Sequence, residues 1–160
     1  MKNSKIKTLS ELKKISKKLR KSAKKIVFTN GCFDLLHLGH IYYLEKAKKK
    51  GDILVVALNS DSSVRRIKGN KRPILPETDR ARIIAALEFV DYVVIFNEAT
   101  PLRLIKTLKP DVLIKGRDWK INQIVGRDVV RSLGGRVATI PFAKGRSTKL
   151  IIKKIVRRFS

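Results

Sequence analysis

His37 and His40 are the residues of this chain best placed to do chemistry. They end a run that reads, over residues 25–40, Lys-Ile-Val-Phe-Thr-Asn-Gly-Cys-Phe-Asp-Leu-Leu-His-Leu-Gly-His. An apolar strand leads into a glycine turn, and the turn leads into a helix start that carries both imidazoles. Free backbone N–H groups and the helix dipole make such a start an anion site. Two imidazoles add donors that can follow charge as it develops on a phosphoryl group. A lone histidine is more often a satisfied interior side chain. Here the strand, the turn glycine and the paired imidazoles agree with one another, and that agreement favours chemistry. Cys32 lies in the same run; with no base beside it except the histidines, it reads as a packed side chain rather than a nucleophile.

These residues need a frame. The chain has 160 residues, 43% hydrophobic and 32% charged, as expected of one globular domain. We expect a single domain over 1–160, with a core over about 25–156 and an N-terminal helix over 8–20. No apolar run reaches the length of a membrane span, and the basic N-terminus is not followed by the apolar stretch of a secretory signal. A single cysteine cannot form an internal disulfide. A cytoplasmic protein without membrane contact is the expectation.

The net charge is +25, from 38 basic and 13 acidic residues. It fits nucleic-acid binding, attraction of phosphorylated small molecules, or a merely solvated basic surface. The lysines are spread at helix-surface spacing, as in Lys13, Lys14, Lys17 and Lys18, and no aromatic-interleaved RNA-binding string occurs. The solvated surface with some phosphate attraction is the reading adopted, and no nucleic acid is expected as a partner.

Apolar runs alternate with amphipathic stretches, the pattern of a parallel α/β sheet. Strands are predicted over 25–30, 53–58, 92–96, 112–115 and 137–140. Helices are predicted over 8–20 with Ser10 as cap, 39–50 ended by Gly51, 59–66, 77–87, 123–132 and from about 147. Another starts at Pro101 with Thr100 as cap. The first seven residues and residues 157–160 read as frayed ends. The fold class is therefore a single doubly wound parallel sheet, with ligands at the strand C-terminal ends. Residues 29–40, 59–61, 115–119 and 145–148 all fall at such ends and so converge on one composite site. Neither GxGxxG nor GxxxxGK[ST] is present, which argues against a classical dinucleotide fold and a P-loop.

His37-Leu38-Gly39-His40 resembles the HxGH signature of the nucleotidyltransferase superfamily. Further strings follow in the superfamily's order: Thr29-Asn30-Gly31-Cys32-Phe33-Asp34, Asn59-Ser60-Asp61, Lys68-Gly69 with Arg72-Pro73, Arg80, Val90-Asp91, Lys115-Gly116-Arg117-Asp118 and Gly145-Arg146-Ser147-Thr148. From about residue 8 to 155 the chain is similar to bacterial D-glycero-β-D-manno-heptose 1-phosphate adenylyltransferases in their stand-alone form.

The resemblance implies a Rossmann-like fold and attack of a sugar 1-phosphate on the α-phosphorus of ATP. ADP-heptose for the lipopolysaccharide inner core and pyrophosphate would result. It implies that His37 and His40 contact the ATP phosphates, with Arg80 and Lys68 as phosphate clamps. Thr29, Asn30, Gly31, Cys32, Phe33, Gly39, Lys115, Gly116, Ser147 and Thr148 are the implied ATP-binding set. Asp34, Asn59, Asp61, Arg72, Asp118 and Trp119 are the implied sugar-phosphate set. Mg²⁺ would bridge phosphates rather than sit in a protein-held metal site. The partners implied are small molecules and a second copy in a homodimer or higher homo-oligomer. Two positions depart from the family pattern: Lys149 replaces a frequent threonine, and Arg146 replaces a small or acidic residue. Two alternatives stay open. One is a cytidylyltransferase or another adenylyltransferase acting on a small phosphorylated alcohol, of glycerol phosphate or flavin type. The other is a basic nucleic-acid-binding protein.

Overall fold

The computed structural model describes residues 4–141 and 145–159. Five strands, β1 (Ile26–Gly31), β2 (Ile53–Asn59), β3 (Tyr92–Phe96), β4 (Val112–Gly116) and β5 (Arg136–Ile140), form one sheet in the order β3-β2-β1-β4-β5. Every pairing is parallel. Such a sheet is buried on both faces, so its strands need near-continuous apolar runs, and β2 (Ile-Leu-Val-Val-Ala-Leu-Asn) is one.

Alternation along the strands divides the core in two. Val27, Leu54, Val56, Val93 and Ile114 pack on one face with α2 (Leu38–Lys48) and α4 (Glu77–Ala85). Ile26, Phe28, Val55, Val94 and Leu113 pack on the other with α1 (Leu9–Lys21), α5 (Leu102–Leu108) and α6 (Arg127–Ser132). Helices on both faces make the sheet doubly wound, as expected. The order reverses direction between β1 and β4, and ligands of such sheets bind in the crevice at that switch point.

Several local expectations are corrected. Thr8, not Ser10, caps α1: its hydroxyl accepts from Glu11 N at 3.2 Å, and Glu11 returns the bond to Thr8 N at 2.7 Å. Pro101 precedes α5 with no side-chain cap bond, so Thr100 does not cap it. The helix expected over 123–132 is a 3₁₀ turn at Ile121–Gln123 followed by α6. Gly126 separates them at φ +87°, a conformation that suits glycine and interrupts a helix. Helix α2 stops at Lys48, before Gly51. The N-terminal segment is tied down: Lys7 N donates to Val93 O and Val93 N to Lys5 O, so Ile6 bridges to the β3 edge. At the other end, α7 (Thr148–Phe159) is helical through residues 157–159. Met1–Asn3 and Ser160, also expected to fray, lie outside the described residues.

Candidate active site

Strand β1 delivers the site. Beyond Gly31 the chain turns through Cys32 and Phe33, the latter at φ +43°, before His37 opens α2 as its N-cap residue. His37 makes no side-chain cap bond there. The His37 and His40 rings stack at 3.9 Å and 17°, and Phe33 lies against His40 at 5.3 Å. Gly39 permits the stack. A Cβ there would sit 3.0 Å from His37 Nδ1 and 3.3 Å from Arg146 Cβ.

Hydrogen-bond accounting marks out three groups with unused capacity. Among the described residues the buried side-chain atoms without a partner are Asn30 Oδ1, His37 Nδ1 and His40 Nδ1. Buried polar atoms are seldom left so, and each such atom calls for an explanation. All three lie within one loop and its helix start. Burial brings the His40 imidazole down to about 4, with His37 adding to the effect. His37 is lowered as well, chiefly by burial, with its own backbone opposing the fall and Arg146 adding to it. Both rings are therefore neutral near pH 7, each with one donor and one acceptor nitrogen. An incoming anion would reverse this by favouring imidazolium.

Lys115, from β4 across the switch point, donates to the Asn30 carbonyl at 3.2 Å and lies 5.4 Å from the centre of the Trp119 ring. Burial pulls its ammonium down to about 8, against the opposing charge of Asp118. Trp119 is 45% exposed and Asp118 exposed, on the loop after Gly116, whose carbonyl accepts from Trp119 N. The loop before α7 joins the site from the other side. Thr148 Oγ1 donates to Leu35 O at 3.4 Å, and Ser147 accepts from Leu150 N at 3.2 Å as a helix cap. The 29–40, 115–119 and 145–148 segments thus meet beside the histidine pair, whereas 59–61, expected with them, is bound to Arg80 and Ser63. Lys149 is exposed.

A second group of expected site residues is committed to the protein itself. Asp34 is buried and accepts from Arg72 Nε at 2.5 Å, Ile74 N at 2.8 Å and Leu75 N at 3.0 Å. Burial alone would raise its carboxyl, but the Leu75 and Ile74 amides and the Arg72 guanidinium outweigh burial and hold it below the usual range. Arg80 is 1% exposed. Its guanidinium donates to Leu75 O, Cys32 O, Asn59 O and Asp61 Oδ1 at 2.6–3.0 Å, spending four of the five N–H groups an arginine has. Arg80 thereby ties the ends of β1 and β2 to α3 (Asp61–Lys68) and α4 instead of presenting a clamp to solvent. Asn59 is buried against Ser63, and Ser60 caps α3. Lys68 ends α3, exposed. Thr29 turns inward, sharing a 2.7 Å hydrogen bond with Tyr43. Gly31 ends β1 beside the Phe33 ring, 2.9 Å from where a Cβ would stand. Burial raises the Cys32 thiol and outweighs the lowering by Lys68, Arg80 and Arg72, so it stays protonated and is a poor nucleophile.

Sequence reading missed two supporting residues. Tyr43 stands three positions after His40 on the inward face of α2, and that spacing was the available signal. Glu77 accepts from Asp61 N at 2.7 Å and holds the start of α3, with no local signal at all.

A parallel sheet in 3-2-1-4-5 order, with an HxGH helix start at its switch point, defines a nucleotidyltransferase. The chain belongs to the cytidylyltransferase-like family, whose model matches residues 28–152. It is 59% identical over 157 residues to a bifunctional protein HldE from Geobacter metallireducens and 53% identical to that from Geobacter sulfurreducens. Each match covers 98% of this chain, which spans about a third (32%) of the length of these relatives. Among solved structures it is similar to a lipopolysaccharide core biosynthesis protein from Thermoplasma volcanium, at 34% identity and a TM-score of 0.62, covering 77% of this chain and 99% of that one. A pantoate-beta-alanine ligase from Francisella tularensis shares the fold at 18% identity and the same TM-score, covering 89% of this chain and 68% of that one.

Proposed function

We propose that the chain transfers the adenylyl group of ATP to a sugar 1-phosphate, with D-glycero-β-D-manno-heptose 1-phosphate as the acceptor, in the supply of the lipopolysaccharide core. The observation that carries the reading is the stacked histidine pair with both Nδ1 atoms buried and unpartnered at the switch point. The name of the Thermoplasma volcanium relative points to the same pathway.

In this reaction an oxygen of the sugar phosphate attacks the α-phosphorus of ATP in line. A new P–O bond forms, the bond from the α-phosphorus to the bridging oxygen breaks, and pyrophosphate leaves with the electron pair. The nucleophile is already an anion, so no protein base is needed, and catalysis is a matter of position and charge. His37 and His40 serve as donors to the α-phosphate, Ser147 and Thr148 to the outer phosphates, and Lys115 as a cation across the crevice. Asp34, Arg72, Arg80, Asn59 and Asp61 serve as positioning residues for the loops that carry these groups.

The residues do not fit a protein-held Mg²⁺. No cluster of three or more His, Cys, Asp or Glu stands ready for a metal among the described residues, and Asp34 and Asp61 are ion-paired. Mg²⁺ therefore belongs with the triphosphate as part of the substrate, and no step is assigned to it.

A pyrophosphate-release screen tests the proposal by pairing ATP or CTP with a panel of sugar and polyol phosphates. ATP with the heptose 1-phosphate should give the highest kcat/KM. Turnover with CTP and glycerol phosphate instead would transfer the assignment to a cytidylyltransferase.

A further inference from the structure

Helix α7 is unlike the other helices. Its twelve residues, Thr-Lys-Leu-Ile-Ile-Lys-Lys-Ile-Val-Arg-Arg-Phe, include none that is buried. At 3.6 residues per turn, Ile151, Ile152, Ile155, Val156 and Phe159 fall on one face. The first two are half-buried against the body. The stripe then runs on uncovered, with Ile155 48%, Val156 56% and Phe159 85% exposed. Around the remaining face stand Lys149, Lys153, Lys154, Arg157 and Arg158, with the half-exposed Leu150 among them and no acidic residue in the helix. None of the five has an ion-pair partner among the described residues.

We infer that α7 is a surface anchor for an anionic phospholipid bilayer, laying Ile155, Val156 and Phe159 among the acyl-chain boundary while its five cations meet lipid phosphates. Charge complementarity selects this occupant. A second copy pairing through the same face would bring two sets of five cations together inside an assembly of two +25 chains, and like charges repel. Nucleic acid would satisfy the cations but leave the apolar stripe in water. An anionic bilayer satisfies both faces at once, which is the pattern of interfacial helices. No spanning segment is required, and among the described residues no helix is long and apolar enough to be one.

The test is vesicle co-sedimentation of the full chain at about physiological salt, with phosphatidylcholine alone or mixed with phosphatidylglycerol. The chain should pellet with the mixed vesicles and stay in solution with the neutral ones. Because general attraction to a +25 protein would give the same result, the deciding variant keeps every charge. Val156→Ser/Phe159→Ser should weaken binding to mixed vesicles at least roughly fivefold, with the circular dichroism spectrum unchanged. A Phe159→Trp variant should show a blue-shifted emission on the mixed vesicles beyond any change in the parent. Equal pelleting of the parent and Val156→Ser/Phe159→Ser would overturn the inference. So would a dimer seen by light scattering that the same double substitution dissociates, since a second copy then covers the face.

Discussion

His40 sets a pH limit on stability that can be measured without any substrate. Its pKa falls from 6.5 to about 4 in the folded chain because the ring is buried and faces His37. Between these values the unfolded chain holds more protons than the folded one, so stability must fall as pH falls. Protonating the unfolded state at about pH 5, while the folded ring stays largely neutral, removes roughly 2 kcal/mol relative to about pH 7. The carboxyls of Asp34 and Asp52 are lowered below their ordinary 3.8, so they titrate below this window. His37 is lowered too and contributes in the same direction. Substituting His40→Gln removes one titrating ring and leaves the other. Urea unfolding of both proteins at the two pH values isolates the difference. The parent should lose about 2 kcal/mol more than His40→Gln on acidification. Equal losses would show that the ring is not held neutral by its surroundings, and the account of the buried histidine pair would fail. Saturating ATP should shrink the acid loss of the parent, since phosphate oxygens favour the imidazolium form.

Three further outcomes follow from the site. His37→Ala and His40→Ala should each fold and lose roughly a hundredfold in pyrophosphate release, with the double variant losing less than the product of the two. Asp34→Ala should lower unfolding free energy by about 3 kcal/mol in urea titrations, because it strands the Arg72 guanidinium and two backbone amides. ATP should raise the thermal midpoint more than CTP does at equal concentration, since a ligand stabilises more the tighter it binds the native state; a larger shift with CTP would contradict the adenylyl assignment.

Much of the fold was legible because parallel strands buried on both faces leave continuous apolar runs, as in residues 53–58 and 112–114. Strand positions were therefore readable to within a residue or so, and the convergence of residues 29–40, 115–119 and 145–148 at the strand ends followed from topology. Local stops were less legible. Gly126 lies inside an amphipathic pattern that a helix would also satisfy, and only its φ of +87° shows the break. Thr8 and Ser10 are both good caps by type, and the reciprocal bond with Glu11 decides between them. The N-terminal lysines suggested fraying, yet Lys5 and Lys7 pair through backbone, which composition cannot reveal. The orientation of polar side chains was least legible of all. Asp34 lies three residues before His37, Asn59 ends β2 and Arg80 stands on α4, and residue type alone does not say which way they turn.

Satisfied and unsatisfied valences separate those roles. Arg80 reaches backbone carbonyls from both β1 and β2, and Asp34 collects two amides from the segment before α4. With their bonds so committed, these charged groups fix the rim of the crevice and have little left for a ligand. His37, His40 and Asn30 are the reverse case: enclosed by the same rim, each keeps a buried atom unpaired. Leaving a buried polar atom unpaired costs about 1–3 kcal/mol, which a folded chain sustains when packing elsewhere is secure. The Arg80 and Asp34 clusters hold the loop that leads from β1 to these histidines. Phosphate oxygens accepting from the two imidazoles would recover the histidine share of that cost, so part of the affinity is prepared in the fold before the ligand arrives, whereas Asn30 Oδ1, itself an acceptor, needs a donor. On this argument Arg80 and His40 are two halves of one device: loosening the first should let the second relax toward solvent, and the unpaired atoms that prepare the site would find water instead.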